Sequence, residues 1–105
     1  MTAPRQIEDR AEFLRVFRLA RERAEAMAAA DPESGLAIGI LRQLEYMRGF
    51  TGARGAPSER EAELVLLGAQ AAPELADADP EFGSWLSQLD DAFKRWAKQR
   101  DLFRR

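Results

Sequence analysis

Apolar residues early in the chain fall at Phe13, Phe17, Ala20, Ala24 and Met27, in alternating steps of four and three. That period keeps one side of an α-helix apolar, and it predicts a helix from about Pro4 to Ala30. Glu8, Glu12, Arg15, Arg18, Glu22 and Glu25 fall on the other side. A second stripe, Leu36, Ile40, Leu44 and Met47, predicts a helix from about Pro32 to Arg48. Roughly opposite it lie Ile38, Arg42, Glu45 and Tyr46, a mixture that fits both a partner surface and the margin of a helix buried on two sides. A third helix is predicted from Ser58, its broad run Leu64, Val65, Leu66 and Leu67 buried on most sides and Pro73 kinking or ending it. The fourth, from Pro80 to near Phe103, gathers Phe82, Trp85, Leu86, Leu89, Phe93, Trp96 and Phe103 in one sector. The expected architecture is all-α: a four-helix antiparallel bundle of two helical hairpins, one domain over residues 1–105.

The segments between stripes carry helix punctuation. "DPESG" at 31–35 returns as "DPEFG" at 79–83. In both, Asp can accept from the first free backbone N–H groups, Pro suits the first helical position, and Glu favours the positive helix end. This predicts that Asp31 and Asp79 each supply a cap worth about 1 kcal/mol. "SERE" at 58–61 is a capping box. "GFTGARGAP" at 49–57 reads as a flexible loop offering Phe50 and Arg54 to a partner; no Lys-Ser/Thr follows its glycines as in a phosphate-binding loop.

Composition narrows the chemistry. The chain has no Cys and no His, so thiolate metal sites and the commonest neutral-pH acid and base are missing. Asp90 and Asp91 point different ways on their helix, and Glu59, Glu61 and Glu63 are scattered around theirs, which leaves no nucleophile with its base. The reading is therefore a binding protein with no catalytic residues and no cofactor or metal. With a charged start, "MTAPRQIEDR", and no long apolar run, no signal peptide or membrane segment is expected, and the chain reads as cytoplasmic.

Charge then points to a partner. The net value is only −2, but residues 61–93 hold eight acids and no Lys or Arg, whereas Lys94, Arg95, Lys98, Arg100, Arg104 and Arg105 crowd the end. Such an acidic block repels phosphate backbones, so nucleic acid is not expected as a partner. Within "APELADADPEFGSW" at 72–85, Asp79 and Glu81 serve mainly the helix start, and both also join the candidate partner contacts. Glu74 and Asp77 have no capping duty and are the better candidates for meeting a basic partner.

"QLEYMR" at 43–48 and "LVLLGAQAAPELADADPEFGSWLSQLDDAF" at 64–93 resemble the small helical immunity proteins that neutralise type VI secretion toxins hydrolysing NAD(P)⁺. Gln43, Leu44, Tyr46 and Arg48 match the second-helix signature, with Met47 in place of another aliphatic residue. Gly68, Glu74, Asp79, Pro80 and Glu81 match the junction of the third and fourth helices, where Pro73 departs from a helix-compatible residue. The resemblance implies a protein that binds a cognate toxin domain and blocks its active site. Immunity to a toxin using another nucleotide is a related alternative. From other classes come a self-associating helical adaptor, homo-oligomeric through the Ile38 and Tyr46 face, and a transcription-associated module using the basic tail.

Overall fold

The computed structural model describes residues 6–103, and every regular element among them is helical. The first helix, α1, is Arg10–Ala30. It starts later than the apolar stripe implied because Asp9 caps it, accepting from the Glu12 N–H at 2.8 Å; Pro4 lies outside the described residues. α1 buries Phe13, Val16, Phe17, Ala20 and Ala24, with Met27 partly covered.

Asp31 closes α1 instead of opening the second helix. Its N–H returns to the Met27 carbonyl at 3.0 Å, and its side chain accepts from the Glu33 N–H at 3.2 Å. The cap of α2, Gly35–Gly49, is Ser34, which accepts from the Ala37 N–H at 3.1 Å. The first Asp-Pro-Glu thus differs from the second, where Asp79 does cap the last helix through the Phe82 N–H at 3.2 Å.

The glycine-rich stretch after α2 is anchored. Phe50–Arg54 forms a wide π-type turn that drives Phe50 into the core, edge-on to Tyr46 and Phe93 at 5.3 and 5.4 Å between ring centres. Arg10 holds the Thr51 carbonyl at 2.6 Å, and the Arg54 guanidinium lies 4.2 Å from the centre of the Phe50 ring. Gly55 then takes φ 78°, a left-handed turn that suits glycine.

The capping box at Ser58 forms as expected, but α3 is only Glu59–Ala62. Residues 63–66 leave the helix, and a second π-type turn, Leu67–Ala71, leads into α4, Ala72–Leu75. Pro73 sits in the opening turn of α4, where its missing N–H breaks no helical bond. The long third helix expected from Ser58 is therefore replaced by a single α-turn, an irregular link, a π-type turn and a second single α-turn.

The final helix, α5, is Pro80–Lys98. It packs against α1, α3, α4 and the Leu67–Ala71 turn, whereas α2 leans on α1 and on that turn. Gly83 admits the Ala72 carbonyl, which would stand 3.3 Å from an added Cβ. Beyond Lys98 the chain turns back instead of staying helical, and Phe103 closes on Phe13 and Trp96, each 5.2 Å away between ring centres. Trp96 is in the core and Trp85 only partly so.

In urea unfolding, Ser34→Ala is expected to lose about 1 kcal/mol of stability, the usual size of a lost N-cap. Asp31→Ala should lose clearly less, and equal losses would contradict this assignment of the cap.

Candidate functional site

The eight acids of residues 61–93 separate by what they hold. Asp79, besides capping α5, accepts from Arg23 at 2.5 Å, and the same guanidinium reaches Glu81 at 3.2 Å while lying 4.9 Å from the centre of the Trp85 ring. The Arg23 hydrogen bond holds the Asp79 carboxyl below its ordinary range and raises the Arg23 pKa in turn. Glu61 completes the capping box and meets Arg54 at 3.0 Å, and the Ser58 N–H is the main cause of its lowered pKa. Asp91 pairs with Arg95 at 2.8 Å, and Asp90 is held by Lys94. Glu63, Glu74 and Asp77 remain: all three are exposed, and their side chains make no hydrogen bond or ion pair among the described residues. Of the candidate contacts in this stretch, Glu74 and Asp77 are free, whereas Asp79 and Glu81 are engaged by α1.

On α2, Ile38, Arg42 and Glu45 come together along a shallow groove shared with Arg21 and Glu25 of α1. Ile38 is 38% exposed, and Arg42 is exposed without an ion pair among the described residues. Glu45 is held by Arg48, whose hydrogen bond lowers the carboxyl's pKa. Tyr46 parts from this group: its hydroxyl donates to the Glu61 carbonyl at 3.1 Å, its ring meets Phe50 and Phe93, and burial pushes its phenol up.

Sequence reasoning missed the irregular link after α3. Gln43 grips it from α2, accepting from the Leu66 N–H at 2.6 Å and donating to the Leu64 carbonyl at 3.1 Å. From α5, Lys94 donates to the Val65 carbonyl at 2.8 Å and to Asp90, which accepts from the Gly68 N–H at 2.7 Å. Gly68 lets the two approach closely, since a Cβ there would stand 3.2 Å from the Asp90 carboxylate. The clamped link buries Val65 and turns Leu64 and Leu66 outward, 61% and 38% exposed. Beside Leu66 runs a groove of about 280 Å³ between α2 and the Leu67–Ala71 turn, with Leu36 and Glu74 on its walls and Ile40 and Leu67 among its lining. The sequence did carry one signal. Asp90 stands one, four and three residues from Leu89, Leu86 and Phe93, all buried, and an acid at such a core position needs donors beyond its apolar neighbours.

Half of the six bases at the end of the chain are engaged inside the fold, while Lys98 is exposed and its side chain makes no hydrogen bond or ion pair among the described residues. Arg95 donates to the Ile7 carbonyl at 2.6 Å, and Arg100 donates to the Pro57 and Ala56 carbonyls at 3.0 and 3.1 Å. Lys94 is occupied as described, and Arg104 and Arg105 lie outside the described residues. Among the described residues no cluster of His, Cys, Asp or Glu could hold a metal ion, and no helix is long and apolar enough to cross a membrane.

The comparison with family models matches residues 10–95 to Tsi6, a stretch from the first residue of α1 almost to the end of α5. The chain belongs to the Tsi6 family. This is a family of type VI secretion immunity proteins, and membership implies a protein toxin as partner. Both stretches that carried the resemblance, 43–48 and 64–93, lie within the matched residues. No curated protein and no solved structure matches the chain significantly.

The Arg23–Asp79 pair carries a pH signature. Its folded carboxyl pKa lies below the unfolded value, so the pair stabilises above about pH 4 and that contribution is lost as pH falls lower. Arg23→Met is expected to destabilise the protein more at neutral pH than near pH 3 in paired urea titrations. An equal loss at both would remove the ion pair as the cause.

Proposed function

We propose that this protein captures a cognate type VI toxin domain that degrades NAD(P)⁺ and blocks its active site or its access to nucleotide. It acts as one unit over residues 1–105, with Glu74 and Asp77 as its leading contacts and Ile38, Arg42 and Glu45 as a second patch. The observation that carries this reading is the set of exposed acids without internal partners, Glu63, Glu74 and Asp77, in a stretch free of Lys and Arg. A toxin that binds a dinucleotide needs a basic cleft for its phosphates. Free carboxylates attract such a cleft over about 8 Å at physiological salt and raise the rate of encounter. Rapid capture matters because a free toxin consumes the dinucleotide pool at every turnover. Asp79 and Glu81 contribute to the same negative field but are already neutralised in part by Arg23. Family membership supports the protein partner, and the resemblance at 43–48 and 64–93 supports its NAD(P)⁺ chemistry.

The test begins with a pull-down from the source bacterium with tagged protein, followed by an NAD⁺-consumption assay on the toxin recovered. Loss of that activity on adding this chain is the expected result. A recovered toxin that leaves NAD⁺ intact and consumes ATP would overturn the substrate assignment. Glu74→Lys combined with Asp77→Lys is expected to weaken inhibition about tenfold or more while leaving the helical signal and melting temperature nearly unchanged. Loss of folding in that variant would mean that these acids are structural.

A further inference from the structure

Gln43, Asp90 and Lys94 all direct hydrogen bonds to the backbone of one short segment, and the segment they hold points two leucines at solvent. A helix through 63–66 would satisfy its own backbone and need no such clamps. The fold instead fixes a shape that buries Val65 alone and displays Leu64 and Leu66. Next to Leu66 the groove continues the apolar surface along Leu36 to the exposed backbone of α2 at Gly35 and Gly39.

The two glycines sharpen the picture. Gly68 and Gly83 meet atoms of the fold that a Cβ would crowd, but nothing lies within 4 Å of a Cβ built at Gly35 or Gly39. Glycine in a helix interior is less stable than alanine by about 1 kcal/mol, and no internal contact at Gly39 requires it. The bare backbone of α2 is thus open to close approach from outside.

Charge selects the occupant. Glu74 stands on the groove wall without an internal partner, Asp77 follows it in the turn after α4, and neither Lys nor Arg lines the groove. A second copy of this chain would bring the same free carboxylates against these, which disfavours self-association through the face.

We infer that the clamped Leu64–Leu66 segment, the groove beside it and the Gly39 surface of α2 form the face that docks the toxin domain, taking an apolar segment that carries a Lys or Arg toward Glu74. This inference rests on the immunity reading and adds to it the location and chemistry of the contact. Leu64 and Leu66 supply apolar area, Gly39 lets the partner approach the helix closely, and Glu74 pairs with the incoming cation.

The test titrates the purified toxin domain recovered above into three full-length proteins by calorimetry: wild type, Leu64→Ser/Leu66→Ser, and Gly39→Leu. Both variants are expected to bind about tenfold or more weakly. Gly39→Leu should melt no lower than wild type, since its side chain enters open space on a helix. If the double variant loses its helical signal, Gly39→Leu decides the matter alone. Wild-type affinity in the folded variants overturns this face and leaves the immunity reading intact. Failure of wild type to bind or inhibit the toxin overturns both. A wild-type dimer in sedimentation that dissociates in the variants makes a second copy the occupant and overturns the inference.

Discussion

A carboxylate on the apolar side of a helix has to be met by donors, and much of the second half of this chain follows from how Asp90 is met. It is only 6% exposed, between Leu86, Leu89 and Phe93 on α5. Its donors are the Lys94 ammonium and the Gly68 N–H, and a buried carboxylate without them would suffer a desolvation penalty of about 1–3 kcal/mol or more. The Gly68 N–H is free to donate because the chain has left the helix before it. Lys94, drawn to Asp90, reaches the Val65 carbonyl as well. One acid thereby accounts for the placing of Gly68 and Lys94, and with Gln43 these hold the chain after α3 out of the helix.

The same separation of labour governs the surface. α5 supplies the hub on which α1, α3 and α4 pack, and its first turn is tied to α1 by Arg23 through Asp79 and Glu81. α2 rests on α1 and on the Leu67–Ala71 turn, which leaves an outward side. What faces outward around it combines apolar side chains and bare backbone, Ile38, Leu64, Leu66 and the two glycines, with charges at Arg42, Glu45, Arg48 and Glu74. An immunity protein needs a rigid display of this kind, since ordering a flexible segment on binding subtracts from affinity.

The all-helical class was legible because the stripes of α1, α2 and α5 are long and regular, and the caps at Ser58 and Asp79 are local in sequence. Asp31 misled because two polar residues, Asp31 and Ser34, compete for the start of α2, and Asp31 is taken up in closing α1. The break at 63–66 was not legible from the run Leu64 to Leu67 itself, since four apolar residues in a row fit a buried helix equally well. Its causes sit at positions 43, 90 and 94, distant along the chain. Among the candidate contacts, Ile38, Arg42 and Glu45 line one groove, as their helical spacing implied, but that spacing could not tell that Tyr46 would turn toward Glu61 and Phe50. Glu74 and Asp77 lie in a stretch without Lys or Arg, so no local partner was in view for them, whereas Arg23 was invisible as the partner of Asp79 at a distance of 56 residues.

The clamps on the irregular segment all grasp main-chain atoms: the Leu64 and Val65 carbonyls and the N–H groups of Leu66 and Gly68. Side chains at 64 and 66 therefore make none of these hydrogen bonds, and Leu64 is the more exposed of the two, Leu66 being partly covered beside the groove. The architecture separates the inheritance of conformation from the inheritance of surface. Substitution at two positions can change what the segment presents without removing any of the hydrogen bonds that hold its backbone.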